Sequence, residues 1–407
     1  MKKKKKSNVV SVMGPLAAYA AGYRLELASL GYSPWTASAH MYLMKDVSRW
    51  MEGRLRPAAF EAAAINGFLA DRRASGHVRR LTPRGLIPLL GYLRRIGVVP
   101  GPTAQAPDGP LDLLVEQLAG YLASERGLSP RTVLGYRRVA ARFLATCDRE
   151  QDLQVRALTG LGGAAINEFV LAECARLSVG SANNVVTALR SLMNFLYLRG
   201  YTPASLADAV PRAAVWRDTG RSRALSAVDV KRLLASCDRR TTVGRRDFAI
   251  LTMLARLGLR AGEVGSLRVD DVDWRVGEIV VCGKGNRYDR LPLPVDVGQA
   301  VADYCRRGRL SRGDRHLFLL IRAPYTALSA SAVSHVVVRA CQRAGLAPAG
   351  AHRLRHSSAT AMRRAGAPLF EIGQVLRHQH TVTTAGYAAD DLDTLATIAR
   401  IWPGERA

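Results

Sequence analysis

Two stretches within the first two hundred residues carry the same instructions for a pair of helices, and this repetition constrains the fold more than any single motif does. Residues 23–51, YRLELASLGYSPWTASAHMYLMKDVSRWM, resemble 118–147, LAGYLASERGLSPRTVLGYRRVAARFLATC, once Ser33-Pro34 is set on Ser129-Pro130. Each reads as helix, turn, helix. In each, Ser takes the cap position, Pro opens the helix where its missing N–H costs nothing, and Thr follows two residues later. Further on, GYLRRIGVVP (91–100) matches FLYLRGYTP (195–203), an aromatic or aliphatic helix end followed by a Gly stop and a Pro. The chain therefore opens with a duplicated unit of four or five helices, each copy roughly 100 residues long. PGPTAQAPDGP at 100–110 lies between the copies as a linker.

A second linker falls in RAAVWRDTGRSRA (212–224), which is basic, polar and without apolar periodicity. From Leu225 the pattern changes, with LSAVDVKRLLASC as a capped helix and RRDFAILTMLARLGL as a buried one. EIVVCGKGNRYDRLPLP (278–294) then reads as strand, Gly-rich turn, strand, and helices resume after it. A chain of 407 residues is long for one core, and three domains are expected: helical units at 1–100 and 111–210, then an α-rich domain at 221–407. The expected fold class is mainly α, with one small antiparallel β-sheet in the last domain.

Charge narrows the partner. Fifty-nine Lys and Arg face thirty-three Asp and Glu, a formal balance of +26, so the surface carries a positive field suited to a polyanion. Nucleic acid leads and an acidic membrane surface comes second. No apolar run approaches the length of a membrane span, the candidates being short pieces such as LFLLI at 317–321. MKKKKKSNVV is basic but lacks the apolar region of a signal peptide, so a cytoplasmic protein is expected. The lysine run itself reads as a solvated tail before it reads as a DNA-binding arm. Cys147, Cys174, Cys237, Cys282, Cys305 and Cys341 are scattered without CxxC spacing, which argues for reduced thiols and against a zinc site or a disulfide framework. After the first residues, lysine recurs only at Lys45, Lys231 and Lys284, while arginine supplies almost every other positive charge.

The chemistry gathers in the third domain. LGLRAGEVGSLRVDDVDW (257–274) puts Arg260 at the mouth of a short helix with Glu263 on the same face, where a carboxylate can orient and neutralise a partly desolvated arginine. CGKGNRYDRLPL holds Lys284 between two glycines, in a turn that lets the backbone approach a partner closely. HRLRH supplies His352 and Arg355 on one helix face, near N–H groups that favour a phosphate. His378 follows, and Tyr387 comes nine residues after it.

Taken singly, GKG is a tight turn, the Arg260–Glu263 pair an exposed helix pair, His352 and His378 ordinary histidines, and Tyr387 an interfacial aromatic. Together they are what phosphoryl transfer from DNA to a tyrosine requires. Arg260 and Arg355 can fork onto the non-bridging oxygens of a phosphodiester and stabilise the extra charge of a pentavalent state. A tyrosine is a poor nucleophile at neutral pH, and a histidine within reach can take its proton. Lys284 can donate a proton to the departing 5′ oxygen, which arginine cannot do.

These residues carry a resemblance. LGLRAGE resembles the first arginine motif of the tyrosine recombinases, the phage integrase family; GKGNRYDRLPLP resembles its lysine hairpin, HRLRH its His-x-x-Arg box, and LRHQHTVTTAGY its closing histidine and tyrosine segment. The matches run in order over about residues 220–400. The resemblance implies that Arg260, Lys284, His352, Arg355 and His378 surround the scissile phosphate, that Tyr387 is the nucleophile, and that Glu263 supports them. Residues 111–210 are similar to the family's core-binding, SAM-like domain, so two such units would precede a catalytic domain, with 111–210 and 221–407 clamping duplex DNA. The resemblance further implies a homo-oligomer, a tetramer on DNA, with room for partner recombinases. The departures are Arg377, where the family more often has Gly and where packing or a phosphate contact could change, the extra imidazole of His380, and the additional N-terminal copy, which binds further DNA or bridges protomers.

The function implied is site-specific recombination through a 3′-phosphotyrosyl link, for integration, excision or transposition of a mobile element. The alternatives are a type IB topoisomerase using the same chemistry and a noncatalytic DNA-binding protein. DDLDTLATIARIW, after the tyrosine, sets Leu392, Leu395, Ile398 and Trp402 on an amphipathic face that can dock on a neighbouring protomer or fold back on its own domain. No metal or cofactor is expected, since Asp270, Asp271 and Asp273 read as turn formers and the phosphotyrosyl link stores the energy of the cut strand.

Overall fold

Helix ends in this protein are set by short local codes. The computed structural model describes residues 10–101, 109–151, 158, 160–211, 224–283, 285, 287–310 and 313–377. Ser33 caps α2 (Pro34–Met51): its Oγ accepts the Thr36 N–H at 3.3 Å and lies 2.9 Å from Thr36 Oγ1. Ser129 repeats this at α6 (Pro130–Gln151), accepting the Thr132 N–H at 3.3 Å and lying 2.9 Å from Thr132 Oγ1. The two helices are preceded by α1 (Ala20–Ser29) and α5 (Pro110–Ser124), and followed by α3 (Ala62–Ala74) with α4 (Ile87–Arg95) in one copy and α7 (Gly163–Arg176) with α8 (Val179–Leu198) in the other. Past α4 and α8 the backbone turns left-handed at Gly97 (φ 74°) and Gly200 (φ 75°), a conformation that glycine adopts without a Cβ clash.

The chain divides into two compact units, Pro100–Arg217 and a second comprising Met1–Val99 with Asp218–Ala407. The core of Pro100–Arg217 is built from Leu118, Leu122, Phe143, Leu189, Phe195 and Leu196, among others. In the other unit, Tyr23, Leu27, Met44, Val47, Phe60 and Leu93 belong to one buried cluster and Leu233, Ile250, Leu254, Ile279, Phe318 and Leu354 to another. Each fully buried large side chain contributes on the order of 1.5–3 kcal/mol.

The later part of the chain runs α9 (Ala227–Ala235), α10 (Thr242–Leu257), α11 (Ala261–Ser266), β1 (Val272–Asp273), β2 (Glu278–Cys282), β3 (Tyr288–Pro292), α12 (Val295–Arg307), α13 (Ala330–Arg343), α14 (Ala351–Arg364) and α15 (Leu369–Val375). α10 is the central helix, touching α9, α11, α12, α13 and α14. Its neighbours bury Ile250, Leu251, Met253 and Leu254 completely, together with an ion pair in which Arg246 Nη2 meets Asp247 Oδ1 at 2.7 Å. The sheet is antiparallel in the order β1-β2-β3, with Val272 opposite Ile279 and Cys282 opposite Tyr288. Ile279 and Val281 point into the core, and the β2–β3 hairpin closes where the Gly283 N–H donates to the Arg287 carbonyl at 2.7 Å. No helix among the described residues is long and apolar enough to cross a membrane.

α10 ends at Gly258, left-handed at φ 59°, and here space matters as well as conformation: a Cβ would sit 2.5 Å from Leu376 Cδ2 and 3.3 Å from Ser358 Oγ. Gly277, at φ 74° between β1 and β2, has nothing within 4 Å of that position. Gly277→Ala should therefore cost only the left-handed penalty, about 1 kcal/mol. Gly258→Ala should lower the thermal unfolding midpoint several degrees further, on the scale of ~2–4 °C per kcal/mol. Equal midpoints for the two variants would refute the close approach of Leu376.

Candidate active site

The left-handed turn at Gly258 redirects the chain so that Arg260 becomes the N-cap residue of α11, in extended backbone conformation. Glu263, in the first turn of α11, reaches back to it. Glu263 Oε2 accepts the Arg260 backbone N–H at 2.8 Å and Oε1 accepts Arg260 Nη1 at 2.7 Å, the reciprocal arrangement by which a carboxylate satisfies an otherwise orphaned helix N–H. The Glu263 side chain is only 4% exposed, whereas that of Arg260 is 39% exposed and reaches toward solvent. Burial by itself would raise the Glu263 carboxyl. The guanidinium of Arg377, with the backbone N–H and guanidinium of Arg260, outweighs that and holds it below the ordinary carboxylate range.

Arg355 lies in α14 and, among the described residues, is the largest side chain buried to this degree, at 1% exposure. Its Nη1 donates to the Gly258 carbonyl at 2.6 Å and its Nη2 to the Leu376 carbonyl. Arg260 Nη2 lies 3.4 Å from the carbonyl of the next residue, Arg377. Arg260 and Arg355, far apart in sequence, thus meet at one turn, Leu376–Arg377, just past α15. His352 sits exposed on the first turn of α14, its ring edge-to-face with His356 at 4.6 Å between centroids. At the hairpin, a Cβ on Gly283 would lie 4.0 Å from Glu263 Oε1, which places the start of the lysine loop beside the Arg260–Glu263 pair. Lys284, His378, His380 and Tyr387 lie outside the described residues, as does the 390–402 segment.

Arg377 is where the structure adds most. Its backbone is left-handed (φ 56°), a conformation rare for a residue with a Cβ and one that glycine would adopt without strain. The side chain is 8% exposed, with Nη2 donating to Glu263 Oε2 at 2.7 Å and Nε 3.9 Å from Asp289 Oδ2. Sequence reasoning reaches Arg377 as a packing change or a phosphate contact; the structure pairs it with a carboxylate. Asp289, on β3, is not reached from sequence at all. A residue's neighbour across a hairpin can be read from alternation, but a partner from a turn much later in the chain cannot.

A buried guanidinium, a half-exposed one and a carboxylate that fixes the second make a cationic recess suited to a phosphodiester. Each such donor aimed at charge developing in a transition state is worth roughly 10²–10³ in rate. Among the described residues no group of three or more His, Cys, Asp or Glu side chains is placed to hold a metal ion.

Two family models match the chain: Phage integrase family over residues 223–393, and Phage integrase, N-terminal SAM-like domain, over residues 115–200. A protein named as an integrase/recombinase, y4rA of Sinorhizobium fredii, is 38% identical over 407 aligned residues, 96% of this chain and 96% of its own length. The tyrosine recombinase XerD of Corynebacterium glutamicum is 31% identical over 292 residues, 69% of this chain and 94% of its own. Among solved structures, a lambda integrase dimer bound to a COC′ core site aligns with a TM-score of 0.53 at 18% identity, covering 72% of this chain and 97% of that one. XerH bound to difH, in a pre-cleavage complex, aligns with a TM-score of 0.52 at 18% identity over 83% and 95%. These two likenesses are of fold. The expected class, mainly α with a SAM-like helical domain ahead of an α-rich catalytic domain holding a small antiparallel sheet, is the one observed.

The Glu263 carboxylate should show itself in acid. Because its folded-state pKa is depressed, its contribution is complete above the ordinary carboxylate pKa of about 4.3 and is lost as pH falls through the lower folded value. Glu263→Gln leaves two guanidiniums without their counter-charge and should destabilise by about 3 kcal/mol near neutral pH. The gap between wild type and variant, measured by denaturant unfolding, should be constant above about pH 5.5 and narrow steadily below about pH 4. A gap that widens in acid would contradict the assignment.

Proposed function

The chain belongs to the phage integrase family of tyrosine recombinases, and from that premise we propose that Arg260, Lys284, His352, Arg355, His378 and Tyr387 form its strand-transfer site, with Glu263 in support. The enzyme is a DNA strand transferase that carries out site-specific recombination. The observation that carries the site assignment is the convergence of Arg260 and Arg355 on the Leu376–Arg377 turn, one residue before His378 in sequence.

In the reaction, the Tyr387 phenol attacks the scissile phosphorus. The bond from phosphorus to the tyrosyl oxygen forms as the bond to the 5′ oxygen breaks, leaving a 3′-phosphotyrosyl link and a free 5′ hydroxyl. Tyr387 gives its proton to a histidine, and Lys284 supplies one to the departing 5′ oxygen. Arg260 and Arg355 take the non-bridging oxygens, with His352 beside them on α14. A 5′ hydroxyl from another duplex then reverses the step and exchanges the strand, so neither ATP nor a metal enters the balance.

The partner is double-stranded DNA, and the working assembly is a homo-oligomer, a tetramer on two duplexes, able to include partner recombinases. The lambda integrase dimer and the XerH structure named above, each bound to its DNA site, support DNA as the partner. Residues 1–100, 111–210 and 221–407 serve as three domains, with 111–210 and 221–407 clamping the duplex in the cytoplasm and the biological event being integration, excision or transposition. The topoisomerase and binding-only alternatives draw no support from relatives named as integrases and recombinases.

Two expected outcomes test this reading. Purified protein incubated in EDTA with a library of nicked duplexes of randomised sequence should yield a covalent adduct, whose DNA can be sequenced to give the target; an adduct that persists in Tyr387→Phe would sink the tyrosine assignment. Lys284→Arg should bind DNA normally yet cleave slowly, by roughly 10²-fold or more. A substrate with a better 5′ leaving group should restore most of that loss, and no recovery would remove Lys284 as the acid.

A further inference from the structure

We propose that Arg377 is a positioning residue of the strand-transfer site: by occupying one oxygen of Glu263, it limits Arg260 to a single side-chain bond with that carboxylate and so keeps the other end of the Arg260 guanidinium available to a phosphate oxygen. This rests on the recombinase reading above and adds a residue to it.

A guanidinium facing a carboxylate prefers a two-pronged pairing, with both nitrogens of one edge on both oxygens. The Arg260–Glu263 pair does not adopt it. Oε1 takes Arg260 Nη1 at 2.7 Å, while Oε2 is shared by the Arg260 backbone N–H at 2.8 Å and Arg377 Nη2 at 2.7 Å. Arg260 Nη2 is left with one long contact, 3.4 Å to the Arg377 carbonyl. A contact of that length yields readily to a charged oxygen.

Three observations show that the competitor is built in place. The Arg377 side chain is 8% exposed, and the carboxylate that it meets is 4% exposed. Its backbone is held at φ 56°, a conformation that costs about 1 kcal/mol or more for a residue with a Cβ and persists where surrounding bonds over-determine it. Its Nη1 donates to the Val375 carbonyl at 3.3 Å, while its Nε is buried with no hydrogen-bond partner among the described residues, 3.9 Å from Asp289 Oδ2, so the guanidinium is fitted to Glu263 at the expense of Nε. A surface arginine that happened to lie nearby would show none of these. Arg377 also ties the end of α15 to α11, and Arg355 holds the same turn through the Leu376 carbonyl.

Arg377→Gly and Arg377→Asn both accept the left-handed backbone, so they remove the guanidinium without straining the turn. The full chain and each variant are assayed for single-turnover cleavage of a nicked duplex carrying the target recovered from wild-type adducts. The expected result is a maximal cleavage rate lower by roughly ten- to a hundredfold, with an unchanged protein concentration at half-saturation, because a misdirected Arg260 harms the transition state rather than DNA binding. On a Glu263→Gln background the same substitutions should have no further effect, since the shared oxygen is then no longer an anion. The proposal is overturned if both variants cleave at the wild-type rate, or if their loss persists in full on Glu263→Gln. It is equally overturned if the loss lies in half-saturation with a shallower salt dependence, which would make Arg377 a direct phosphate contact, or if both variants unfold at the assay temperature, which would make its role structural alone. Failure of wild-type protein to form any adduct would instead count against the recombinase reading.

Discussion

One buried carboxylate holds the site together. Glu263 receives Arg260 from its own helix and Arg377 from the end of α15, and it lies within reach of the β2–β3 hairpin at Gly283. An anion taken out of water costs several kcal/mol unless its lone pairs are met, and here two separate pieces of chain, at Arg260 and at Arg377, meet them. Two guanidiniums on one carboxylate leave a net positive charge in a recess of low dielectric. That surplus is what a phosphodiester would neutralise.

The preference for arginine fits the same physics. Arg355 is 1% exposed and bonded to main-chain carbonyls at Gly258 and Leu376, where a lysine would lose its proton to escape the cost of burial. A guanidinium stays charged there and spreads its donors over two carbonyls. Its permanence suits the role proposed for Arg355, stabilising negative charge throughout the reaction. The proton donor proposed at position 284 must do the opposite, and lysine is scarce in this chain after the first residues.

Helix boundaries were legible in the sequence because their causes are local. Ser33 and Ser129 meet donors three residues away, and Gly97 and Gly200 turn the chain by their own freedom, so a window of a few residues holds the whole explanation. The buried character of α10 could be read from its apolar run, and the hairpin from its glycines. The Arg260–Glu263 pair was legible for the same reason, as neighbours on one helical turn. What the sequence did not display was depth and distant partners. Arg355 looks like any arginine beside a histidine, and its complete burial depends on α10 and on the turn after α15. Arg377 looked like a substitution to be explained, and its partner Glu263 stands 114 positions away. Ion pairs across such separations leave no periodicity.

The three-stranded sheet has a further consequence, for solubility. β3 pairs with β2 on one side, and among the described residues no strand pairs with its other side. Its sequence is YDRLP, with Asp289 and Arg290 charged and Pro292 unable to donate, and its short length offers few bonds to an incoming strand. Open edges elsewhere template aggregation, and charge, brevity and proline are the devices that blunt them. An edge of this kind is less prone to pair with a second copy of the chain than a long, flat, uncharged strand would be.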